Sequence, residues 1–379
     1  MKKLALVLGS LLVVGTAVSA KEVMPAPVAA PERVVEVVEK PVIVYRDREV
    51  APAWRPNGSV GVEYQWYGKV ENRTEADNKS DDSTDWGTGK EGHINAGRLV
   101  TTAKINFTEK QTLDLRVRNS HALKNDEEIA KSSKESDDYR LRHFYNFGTL
   151  GTSKVTAKSR LEYSQASVKE YGEGEDAEVL EGGKKVGASV LFDFSDYVFS
   201  NQFFKADKLG LRPSYEHKWA RHGKADTKDI FGLAFESEFS LPYNFSFEFN
   251  VKPTYTRSRV AQPVGKPVEF KKGAYNVAMD AILKNHTPLY KTNSFELAFD
   301  FEGGYDSYNF AQYKAKGSND KRSYTLYVKP TLGVNYKPTD FVNLYANAGA
   351  TLVNGQEKES KAGRFRWQPV ATAGMKVTF

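Results

Sequence analysis

The sequence predicts an all-β fold, a transmembrane antiparallel β-barrel of about 14 strands. Three observations predict it. Alternating apolar and polar segments recur between polar loops over most of the chain, and the sequence closes on the alternating Met375-Lys376-Val377-Thr378-Phe379. Beyond the first twenty residues there is no apolar run near the ~20 residues that a spanning helix needs. A barrel crosses lipid with alternating strands and leaves no backbone group unpaired.

Met1-Lys2-Lys3, the apolar run 4–14 and Ala17-Val18-Ser19-Ala20 supply a basic region, an apolar core and a small-residue cleavage site. Residues 1–20 therefore read as a signal peptide, with Lys21 as the first residue of the exported chain. Eleven apolar residues are too few to span a bilayer. Residues 21–56 form a Pro/Val/Glu-rich segment in which Pro25, Pro27, Pro31, Pro41, Pro52 and Pro56 interrupt regular structure. It is expected to be an extended, partly disordered periplasmic leader. Its residues leave open whether it packs into the barrel mouth, mediates oligomer contacts or touches the cell wall.

Residues 57–379 are the barrel. Strands are expected near 58–70, 91–107, 111–123, 137–148, 153–165, 184–194 and 208–220. The second half adds 228–240, 243–258, 268–285, 291–309, 321–337, 341–354 and 363–379. Merging or splitting one weak segment changes a closed barrel by two strands, so 12 or 16 are the alternatives. Long polar links at 71–90, 124–136, 166–183, 221–227, 259–267, 310–320 and 355–362 alternate with mostly tight connections at 108–110, 149–152, 241–242 and 338–340. Long outer loops and short periplasmic turns are the barrel pattern, and it puts both ends of the chain in the periplasm. Two connections run long for that pattern, 195–207 and 285–291. The first carries Tyr197, Phe199, Phe203 and Phe204 and suits a short helix, a partner-facing ledge or an extension of the aromatic belt.

Composition narrows the function. The 54 basic and 48 acidic residues are interspersed, and the net charge of +6 falls to +4 once Lys2 and Lys3 are removed. No concentrated basic face for a nucleic acid follows. The absence of cysteine excludes disulfides and thiolate chemistry. Twenty Tyr, 22 Phe and 5 Trp suit aromatic belts at the two membrane boundaries.

Alternation assigns each strand a lipid face and a lumen face, because a charge facing hydrocarbon is costly. Leu113, Leu115 and Val117 face lipid, so Arg116 and Arg118 face the lumen. Tyr139 and Leu141 alternate likewise with Arg140 and Arg142, and Lys158 and Arg160 share the inward parity of the next strand. Arg98 is less cleanly placed, since Leu99 and Val100 blur the period. Later strands carry the opposite sign: Glu236 and Glu238, then Glu248, then Glu296, Asp300 and Glu302, each bracketed by outward Phe residues. A basic wall and an acidic wall are thus expected in different sectors, with a transverse field across a water-filled lumen. The alternative is a plugged lumen in which opposed charges pair across the interior. Near balance of the two signs predicts weak ion discrimination.

No nucleotide motif accompanies Gly182-Gly183 or Gly303-Gly304. His217 and His222 lack repeated ligand spacing, so no metal or other cofactor is expected. Ser195, Asp196 and His217 lack any nucleophile context, and the chain is not expected to be an enzyme.

The whole chain resembles the major outer-membrane porins of fusobacteria. The resemblance rests on Val42-Ile43-Val44-Tyr45-Arg46-Asp47-Arg48-Glu49, on Tyr139-Arg140-Leu141-Arg142-His143-Phe144-Tyr145-Asn146-Phe147, on Gly303-Gly304-Tyr305-Asp306, and on Arg366-Trp367-Gln368-Pro369 with the strand that ends at Phe379. It implies a voltage-responsive, general-diffusion pore, a homotrimer in outer-membrane lipid, and a surface adhesin that contacts surface proteins of other bacteria. It also implies that Phe379 serves as the recognition signal for the barrel-assembly machinery.

Overall fold

The structure, a computed structural model, describes residues 33–38, 42–47, 54–68, 96–122, 134–170, 183–198, 200–220, 227–264, 269–312, 324–356 and 366–379. The signal peptide and most of the seven long polar links lie outside the described residues. In the leader, β1 (Arg33–Val38) and β2 (Val42–Asp47) pair antiparallel as a hairpin, a unit separate from the barrel. The β-branched residues of both segments suit a pleated pair, so this part of the leader is regular rather than irregular.

Residues 55–379 hold fourteen strands in one closed antiparallel barrel. They are β3 (Asn57–Tyr67), β4 (Ala96–Asn106), β5 (Gln111–Ala122), β6 (Lys134–Thr149), β7 (Thr156–Glu170), β8 (Gly183–Asp193) and β9 (Lys205–Ala220). There follow β10 (Lys228–Leu241), β11 (Phe245–Val264), β12 (Glu269–Lys291), β13 (Phe295–Gln312), β14 (Tyr324–Thr339), β15 (Val342–Gln356) and β16 (Arg366–Thr378). Each strand pairs with its neighbour in sequence, and β16 closes on β3 from Val370↔Tyr67 to Thr378↔Ser59. The number and order are those the alternation predicts. No helix among the described residues is long and apolar enough to cross a membrane.

The short connections share one rim, where β3 begins and β16 ends. One of them, Pro242-Tyr243-Asn244-Phe245, places Tyr243 at φ 59° and Asn244 at φ 60°. Two left-handed central residues make the turn whose twist matches flanking strands, and Asn tolerates that region well. Residues 195–207 contain a 3-10 turn at Ser195–Tyr197 and an Asn201↔Phe204 bridge, which realises the short helix expected there. The stretch 285–291 is not a long connection. It continues β12 to Lys291, with a register shift around Pro288 against β13, and the chain turns only at 292–294. Likewise 259–267 is not wholly loop, since β11 runs on to Val264. Beyond the lipid a hairpin needs no apolar alternation, so its sequence reads as polar loop.

Faces are unambiguous. Tyr139, Leu141, Leu161, Tyr163, Leu211 and Tyr215 stand exposed on the outer face, while most residues of opposite parity on those strands are polar or charged, Phe144 being an inward aromatic. Leu332, Val334 and Tyr336 continue the outer face on β14. This exposed apolar surface on a closed barrel is what lipid covers, and the protein is a multi-pass outer-membrane barrel.

Close strand packing makes Gly349 on β15 irreplaceable. A Cβ there would lie 2.0 Å from the Pro330 carbonyl oxygen and 2.8 Å from Thr331 Cα. Gly349→Ala is therefore expected to lower barrel stability by about 1–3 kcal/mol, the usual cost of overpacking. Urea unfolding of the refolded barrel tests this; an unchanged midpoint would mean that β14 yields without cost.

Candidate functional site

The inner face can be followed around the whole barrel by cross-strand register. On β5 and β6 the partners are Asp114↔Arg142, Arg116↔Arg140 and Arg118↔Asp138. Directly opposed like charges repel at this spacing. The two arginines of the middle pair are relieved diagonally: Arg116 donates to Asp138 at 3.1 Å and Arg140 to Asp114 at 3.1 Å. Arg118 lies 3.3 Å from the same Asp138 oxygen. Arg142 Nε reaches Glu162 of β7 at 2.5 Å, and Lys185 of β8 holds the other Glu162 oxygen at 2.7 Å. Lys185 also reaches Glu216 of β9 at 3.0 Å.

The acidic strands show the same economy. Arg212 of β9 clamps Glu236 through Nε at 2.6 Å and Nη2 at 3.0 Å. Glu238 and Glu248 are direct partners across β10 and β11. Lys208 stands 3.9 Å from Glu238, and Lys284 pairs with Glu248. Lys252 bonds Asp280 at 2.6 Å, and Asn250 donates to its other oxygen at 2.7 Å. On β13, Asp300 and Glu296 flank His286 at 2.6 and 3.2 Å, and Lys291 holds Glu296 at 2.7 Å. Glu302 accepts from the Tyr327 hydroxyl at 3.0 Å.

Ten of the twelve charged positions singled out from the sequence thus bond to a polar or charged side chain of an adjacent strand. The picture of two opposed walls is corrected. Asp114, Asp138 and Glu162 sit among the arginines, and Lys208, Arg212, Lys252, Lys284 and His286 sit among the carboxylates. Inward neighbours on adjacent strands stand close enough for direct ion pairs, so charges are satisfied by the next strand rather than across the lumen. The missed partners share the parity of the residues that were found, and that parity is the signal that could have named them.

Arg98 faces inward and is 8% exposed. Its Nε donates to Ser120 Oγ at 3.2 Å, and its guanidinium lies over the Tyr67 ring at 5.3 Å. Two of the expected basic residues differ from the rest: among the described residues, Lys158 and Arg160 have no ion-pair partner. Lys158 instead places Nζ over the inward Phe144 ring, 5.0 Å from its centroid. Phe379 lies at the seam, where its amide donates to the Gly58 carbonyl at 3.0 Å and its carbonyl accepts from Gly58 N at 2.9 Å. Its ring is half exposed. His217 bonds Asp229 at 2.8 Å near the long-loop rim, and no group of three or more metal-binding side chains occurs among the described residues.

No protein-family model matches the chain, and no curated protein matches it in sequence. Solved structures similar to it include a bacterial polysaccharide outer membrane secretin, at 8% identity and TM-score 0.35, over 85% of this chain and 98% of the other. A Pseudomonas aeruginosa FadL homologue matches at 8% identity and TM-score 0.34, over 86% and 90% of the two chains. The outer membrane channel DcaP of Acinetobacter baumannii matches at 10% identity and TM-score 0.32, over 86% and 96%. Likeness at this level carries nothing about solutes, which must be read from the barrel's own residues.

Proposed function

We propose that the barrel is a water-filled pore for passive diffusion of ions and small hydrophilic solutes across the outer membrane. One observation carries the reading: charged, ion-paired inner positions on every strand from β5 to β13, inside a barrel whose outer face is apolar. Ion-paired side chains held along a wall keep it hydrated, and a bulky apolar solute would have to displace that water. Arg116, Arg118, Arg140, Arg142, Lys158 and Arg160 with Glu236, Glu238, Glu248, Glu296, Asp300 and Glu302 are the pore-lining groups in this reading. Nothing in it calls for catalysis.

The finer parts of the reading, a voltage response, a homotrimer and a surface adhesin role, come from the sequence resemblance.

Single-channel recording of the refolded protein in planar bilayers under a salt gradient tests the proposal. Stable conductance steps are expected. Replacing Arg116, Arg118, Arg140 and Arg142 together with Ser removes the arginine partners of Asp114 and Asp138 and leaves Glu162 with Lys185 alone, so conductance should rise and the reversal potential should move toward cations. Folded, inserted protein that gives no steps would instead mean a plugged structural or adhesin barrel.

A further inference from the structure

The ion pairs along the inner face leave a gap in their pattern. Among the described residues Lys158 and Arg160 of β7 have no acid as a direct cross-strand partner, and Asp193, diagonal to Lys158 on β8, is held by the Ser195 and Leu209 amides. Lys158 has Asn146 and Leu191 as cross-strand partners, and Arg160 has Phe144 and Ser189. Glu162 and Glu236 are each held by their own cations. Two successive inward cations on one strand, with no carboxylate bonded to either, make a local positive potential.

A second observation is independent of charge. Ser189, the direct partner of Arg160 on this face, is 6% exposed, and its Oγ is buried without a hydrogen-bond partner. A buried hydroxyl left unpaired is costly unless something else bonds it. Beside a guanidinium, the complementary group is an oxygen anion, which accepts from both. Phe144 contributes by holding the Lys158 ammonium over its ring without neutralising it.

We infer that Lys158, Arg160 and Ser189 form a binding station for small oxyanions, with inorganic phosphate as the simplest member of the class. The station deepens the pore reading and rests on it for access, since a solute reaches this wall only through the lumen. It changes one expectation: small oxyanions should linger in the pore although the charges elsewhere are balanced.

The test uses the whole chain refolded in a sugar detergent, with broadening of the 31P resonance of added inorganic phosphate as the binding readout. Loss of two charged donors in Lys158→Gln/Arg160→Gln should weaken phosphate affinity about tenfold or more. Ser189→Ala keeps every charge and removes only an unpaired hydroxyl, so it should fold and still weaken phosphate about fivefold. If the double variant does not fold, the Ser189 variant decides alone; affinity equal to wild type in the folded variants overturns the station. Planar bilayers separate this from the pore reading. A barrel that conducts chloride but binds no phosphate sinks the station and leaves the pore. One that binds phosphate but never conducts keeps the station and sinks open diffusion. Phosphate that lowers potassium chloride conductance in wild type but not in the double variant supports both.

Discussion

Glu162→Gln should destabilise the barrel by about 3 kcal/mol, the range found when one partner of a buried ion pair is removed. Glu162 is 9% exposed and bridges two cations on adjacent strands, Arg142 at 2.5 Å and Lys185 at 2.7 Å. Glutamine has nearly the same shape, so packing is kept and only the charge is lost. Lys185 retains Glu216 at 3.0 Å. Arg142 retains no ion-pair partner and bears the loss. Glu162→Gln/Arg142→Gln should therefore recover a large part of the stability, a coupling that a double-mutant cycle isolates.

Glu238→Gln is the internal comparison. Its side chain is 42% exposed, and its lysine stands 3.9 Å away. Solvent screens such a pair, and the loss should stay below about 1 kcal/mol. Urea unfolding of the refolded variants measures all three. Equal midpoints for Glu162→Gln and Glu238→Gln would show that burial on this wall does not set the strength of its ion pairs.

These energies bear on what the sequence reveals. Parity was legible because the membrane punishes a misplaced charge, so Leu113-Asp114-Leu115-Arg116-Val117-Arg118 can face only one way. Pairing was not legible, since alternation says which side a residue takes and nothing about who stands opposite. That Arg116 meets Arg140, and that each turns diagonally to an acid, depends on a register set by the connection between β5 and β6. Strands β8 and β9 were found as strands, but their lumen charges were missed. Gly187 and Ser189 break the polar row beside Lys185, and small residues give alternation little contrast. Val100 misled for the opposite reason: an apolar side chain faces inward there, opposite Arg118, and blurred the parity of Arg98. The extended ends of β11 and β12 left no trace, because no lipid constrains them.

Deleting Phe379 should reduce the yield of inserted barrel far more than it changes the conductance of molecules that do insert. The deletion does two things, and the geometry separates them. Phe379 closes the cylinder with a pair of backbone hydrogen bonds to Gly58, at 2.9 and 3.0 Å. At about 1 kcal/mol each, their loss should cost the folded barrel about 2 kcal/mol. The ring contributes differently: half exposed at the seam, it has an open side that a recognising partner can bind. Phe379→Ala keeps both backbone bonds and removes the ring. If the ring is the assembly signal, this variant loses surface yield as severely as the deletion, while its urea midpoint stays closer to wild type. If closure is what matters, the alanine variant inserts normally and only the deletion fails. Measuring yield in cells and unfolding of refolded protein on the same two variants decides between them. A normal cellular yield for Phe379→Ala would sink the recognition role and leave Phe379 as the residue that completes the β16–β3 seam.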